Sequence, residues 1–90
     1  MTVEQIETFL EKGPVPQGKI MRFELKKRNP VRGLIVKGRD YDDLKVKNFW
    51  RIVTQTNIAE YSKSSNINLA KIFSGSEFAK LSYVSNKPEE

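Results

Sequence analysis

The chain has 90 residues, 16 Lys or Arg against 11 Asp or Glu, no Cys and no His, and a formal charge of +5. That length is expected to hold one core, and the missing Cys and His exclude disulfides, a thiolate zinc site and Ser-His or Cys-His nucleophile pairs within the chain. No run of about 18 apolar residues is present to cross a membrane, and the acidic start over 1–5 lacks the pattern of a secretion signal, so a cytoplasmic location is expected.

Thr2 is the N-cap of a helix over 3–12, whose Val3, Ile6, Phe9 and Leu10 recur at helical spacing. Glu4 and Glu7 suit the positive end of its dipole, and Gly13 and Pro14 stop it. Residues 13–18 then form an extended linker. Between 19 and 61 the pattern is β. Met21, Phe23 and Leu25 alternate with Ile20, Arg22 and Glu24, and 28–30 make a turn. The run 31–37 is apolar on both faces, with Gly33 in mid-strand marking a bend or bulge. An acidic break at 40–43 precedes Leu44-Lys45-Val46, which begins another short strand. The stretch 49–53, FWRIV, has the strongest β propensity in the chain.

Periodicity leaves 58–61 open between helix and strand, and leaves 69–73 open in the same way. Residues 62–68 are polar and expected as an exposed loop. Ser74 and Glu77 have capping-box spacing, which would open a short C-terminal helical turn through Phe78 and Leu81. The chain thus reads as one α+β, mainly β domain over 1–84, a small SH3-like or Sm-like antiparallel barrel of about five short strands. The N-terminal helix closes one end, 69–84 forms a C-terminal segment, and 85–90 is a frayed tail. The core is expected from Met21, Phe23, Leu25, Ile35, Ile52, Val53 and one of the adjacent rings Phe49 and Trp50.

Charge is uneven. Residues 1–18 sum to −2, residues 19–47 to +6 and residues 48–90 to +1. Lys26, Lys27, Arg28, Arg32, Lys37 and Arg39 are expected to gather around the two turns flanking the second strand. There they are either a solvated surface or a clamp for the phosphates of RNA or DNA. Whichever of Phe49 and Trp50 faces outward, with Trp50 put forward and Arg51 beside it, is the candidate for stacking on a base. Asp40, Asp42 and Asp43 lack the glycine and distant glutamate of a calcium loop. No metal, cofactor or catalytic role is expected.

From Phe23 and Leu25 through Val31, Gly33, Asp40, Leu44, Ile52-Val53 and Ile58, the order of features over 19–61 resembles the Hfq/Sm-like barrel family. The resemblance implies a barrel and an RNA-binding role. It does not carry over the family's Lys-His pair before the isoleucine, because Thr54-Gln55-Thr56-Asn57 stand there. The uneven basic charge makes a non-enzymatic nucleic-acid-binding module, RNA foremost, the expectation, and the missing Lys-His pair speaks for the alternative, a protein-interaction or structural module. Because 69–81 has apolar residues to bury, it is expected to cover an open sheet edge and keep the chain a monomer or dimer rather than a ring.

Overall fold

The computed structural model of the chain describes residues 1–13 and 15–86; expectations for Pro14 and for the tail beyond Asn86 lie outside these. Helix α1, Val3–Leu10, starts at Thr2 in a reciprocal cap: Thr2 Oγ1 accepts from the Gln5 N–H at 3.2 Å, and Gln5 Oε1 accepts from the Thr2 N–H at 2.9 Å. Its apolar stripe lands where expected. Ile6 is fully buried and the Phe9 ring lies 4.9 Å from that of Tyr83.

Five strands form one antiparallel sheet: β1 Lys19–Leu25, β2 Val31–Ile35, β3 Phe49–Thr54, β4 Ala70–Ser74 and β5 Phe78–Ser85, in the order β4-β3-β2-β1-β5. The strand count agrees with expectation, but their placement corrects it. Only three strands lie within 19–61, and the segment 69–84 supplies the other two. That segment covers both edges of the β3-β2-β1 sheet, β4 along β3 and β5 along β1, and its strands become the new edges.

Between β4 and β5 the chain has only the 3-10 turn Gly75–Glu77. Laid flat, strands at opposite ends of five would sit roughly 19 Å apart. The four peptide units from Ser74 to Phe78 span at most about 14 Å. The sheet must therefore curl strongly, although among the described residues β4 and β5 are not paired and no closed barrel forms. A register irregularity between Glu24 and Leu25, where Ala79 is the extra residue on β5, marks one bend. At Gly33, expected to mark a bend or bulge, the register is unbroken, so it is not a bulge. Its role is close approach: a Cβ there would stand 2.2 Å from the Val53 carbonyl oxygen.

Three local expectations are corrected. Residues 44–46 are not a strand but the end of helix α2, Tyr41–Val46, where Asp42 and Asp43 occupy the favourable first turn. The stretch 58–61 belongs to helix α3, Ile58–Ser64, which takes up part of the expected loop. After Ser74 the turn lasts three residues and Ser74 makes no capping bond; Phe78 to Ser85 then continue as strand.

The main core holds Ile6, Met21, Phe23, Trp50, Ile52, Phe73, Phe78 and Leu81, with Leu25 and Ile35 half-buried against it. Ile20, Val36 and Val53 are also buried but belong to the opposite face by strand alternation.

Candidate nucleic-acid interface

Beyond the bend in β1 the chain turns through 26–30, held by the Lys26 N–H donating to the Glu77 carbonyl at 2.9 Å. Lys26, Lys27 and Arg28 are exposed around a hollow of about 240 Å³ that Ser76 and Glu77 also line. Arg28 Nη2 meets Glu77 Oε2 at 3.1 Å, and its guanidinium lies 5.7 Å from the centre of the Phe73 ring. Both partners are about half exposed, so this pair contributes at most about 1 kcal/mol and exchanges readily for another anion. The Met1 ammonium, bonded to the Gly75 and Phe78 carbonyls at 2.8 Å, is held below its ordinary pKa by burial and by the charge of Lys26. Positive charge is concentrated at this corner.

Lys37 and Arg39 lie at the other end of β2. The Lys37 ammonium sits 5.3 Å from the centre of the Tyr41 ring. Burial is the main cause that pushes the Tyr41 hydroxyl above its ordinary pKa. Lys45, on the same ring at 5.6 Å, is raised chiefly by its hydrogen bond to Glu7 at 3.4 Å. Five residues of β2 span roughly 17 Å, so the basic residues do not form one cluster. They divide into a Lys26-Lys27-Arg28 end and a Lys37-Arg39 end, with Arg32 between. The acidic run is engaged elsewhere: Asp40 accepts from Arg51 Nη2, and Asp42 lies 3.8 Å from Lys45. Among the described residues no group of three acidic, His or Cys side chains could hold a metal.

The stacking candidate is corrected as well. Trp50 is 1% exposed, its ring lies edge-on to Tyr41, and its indole N–H donates to Asn48 Oδ1 at 2.8 Å. It has no free face for a base. Phe49 is the outward ring, 38% exposed, on the same face as Arg51. Arg51 is itself fixed by Asp40, beside a hollow that Arg39 also lines.

One arrangement escaped the sequence. Arg22 on β1 stands directly opposite Arg32 on β2, with Ser82 of β5 on its other side. Beyond Thr54 the chain enters the 3-10 turn Gln55–Asn57, and Gln55 and Thr56 join the two arginines, Pro30, Val31 and Thr54 around a groove of about 370 Å³. Arg22 Nη1 is 3.2 Å from Glu24 Oε1. Arg22 Nε and Gln55 Nε2 are buried donors without a hydrogen-bond partner. Alternation in the sequence marks Arg22 as facing away from the core, but only the β1–β2 register places it beside Arg32.

No family model matches the chain, and neither a curated protein nor a solved structure matches it.

Proposed function

We propose that the chain is a non-enzymatic nucleic-acid-binding module, with RNA as the first ligand to test, on a small barrel of the SH3-like or Sm-like kind. The barrel reading draws on the strand order and on the three-residue link that draws β4 and β5 together. The binding reading rests on one observation above the others. Three consecutive cations, Lys26, Lys27 and Arg28, surround an open hollow in which Glu77 is the carboxylate among the lining residues. Such a corner positions phosphates and reads no bases.

Fluorescence anisotropy with a labelled single-stranded RNA tests this. If about three phosphates are engaged, affinity should fall roughly tenfold to twentyfold between about 50 and 200 mM salt. Lys26→Glu with Lys27→Glu should weaken every sequence alike. Absence of binding to single- or double-stranded RNA or DNA at low salt overturns the reading.

A second reading has its own observation. Ile72 on edge strand β4 is 51% exposed and shares a face with Phe49 across the β3–β4 pair. That apolar edge suits a protein partner, and it becomes the better account if nucleic acid does not bind.

A further inference from the structure

We infer that the groove between Arg22, Arg32, Gln55 and Thr56 is a specific site for a phosphoryl group, offered by a nucleic-acid backbone or by a free nucleotide. The inference deepens the nucleic-acid reading in the first case and is independent of it in the second. Arg22 and Arg32, directly opposite on neighbouring strands, bring two guanidinium groups to one face, and an anion seated there would offset their mutual repulsion. Glu24 meets one nitrogen of Arg22 and leaves the remaining donors of that fork. Arg22 Nε and the Gln55 amide nitrogen are desolvated donors whose hydrogen bonds are unmade, a state that an acceptor from the groove would relieve. Thr56 lines the same groove, its hydroxyl 3.4 Å from that of Thr54. Donors thus come from two strands and a turn. Convergence from several sides suits the tetrahedral oxygens of phosphate better than a flat carboxylate, and arginine is the side chain best matched to it. Gly33 makes the arrangement possible, because only a missing side chain lets β3 approach β2 closely enough to bring the 54–56 stretch beside Arg32.

The test combines thermal unfolding with the anisotropy assay. Inorganic phosphate at about ten times its Kd should raise the unfolding midpoint by roughly 5–10 °C, with acetate at equal ionic strength giving no rise. AMP should act as phosphate does if the source is a free nucleotide, and should compete with labelled RNA if the backbone uses the same groove. Arg22→Gln with Arg32→Gln should abolish the phosphate shift and weaken any RNA binding about tenfold or more. Thr56→Glu leaves both arginines in place and should do the same by filling the groove with negative charge. Circular dichroism confirms that each variant is folded. Lys47→Glu, an exposed charge reversal outside both basic sites, should keep the phosphate shift. If RNA fails to bind but phosphate and AMP still stabilise through Arg22 and Arg32, the nucleic-acid reading falls and the groove stands. If RNA binds and the Arg22/Arg32 and Thr56 variants change neither binding nor the phosphate shift, the groove proposal is overturned and the corner of Lys26 to Arg28 remains. No phosphate shift in the unaltered chain overturns the groove outright.

Discussion

Asn48 ties the end of α2 to Met1, Trp50 and Gly75. Its backbone takes the left-handed φ of 60°, which Asn tolerates better than most residues and which ends α2 abruptly. Its N–H donates to the Lys45 carbonyl, and its own carbonyl accepts from the Gly75 N–H at 2.7 Å. The side-chain amide donates to the Met1 carbonyl at 3.0 Å, and its oxygen accepts from Trp50. A large ring is therefore buried with its one polar atom satisfied, while its neighbour Phe49 faces outward. We expect Trp50→Ala to cost about 3–5 kcal/mol, near the whole stability of so small a domain. Phe49→Leu should stay within about 0.5 kcal/mol. Urea unfolding of the two variants checks this, and equal losses would contradict the assigned orientation of the two rings.

At the scale of elements, β2 and β3 are pressed together at Gly33. An added Cβ would meet backbone, the Val53 carbonyl, with Ile52 Cγ2 also only 3.1 Å away, so neither side yields cheaply. Gly33→Ala should destabilise by roughly 1–3 kcal/mol, as overpacking does. Its urea midpoint should fall while Gly13→Ala, a site with open space but a φ of 122°, reports backbone strain alone. A neutral Gly33→Ala would show that the two strands can separate. The elements that sequence reasoning misread have local causes. In β5 the bulge inserts Ala79, so Phe78 and Leu81 fall three apart and imitate the spacing of a helix. In α2 only six residues are helical and none is buried, too short a span for periodicity to emerge from the acidic run.

For the whole molecule, the extents of 31 × 28 × 27 Å agree with a sheet rolled around one core rather than laid flat. Rolling leaves β4 and β5 as two edges. β4 is short and carries exposed Lys71, and β5 carries exposed Lys80, both devices that disfavour open-ended strand pairing. The expected assembly is a monomer or dimer, because 70–85 covers the edges of β1 and β3 and the new edges carry these devices. Sedimentation at two concentrations should show no larger species. A stable ring of six or seven copies would refute it.

Much of this protein was already legible along the chain. The N-terminal cap and its buried stripe at Ile6, the alternation of Met21 and Phe23, the β character of 49–53 and the basic excess over 19–47 are all local patterns with periods of 2 or 3.6 residues, and folding leaves such patterns in place. What needed the tertiary structure depends on pairing between distant segments. The burial of Trp50 rather than Phe49, the assignment of 70–85 to the two sheet edges, and the meeting of Arg22 with Arg32 are settled by register, and one residue of slip reverses the face of every side chain in a strand. The basic residues were therefore countable from the sequence, but their division into two ends with an arginine-lined groove between was decided by the pairing and register of the strands.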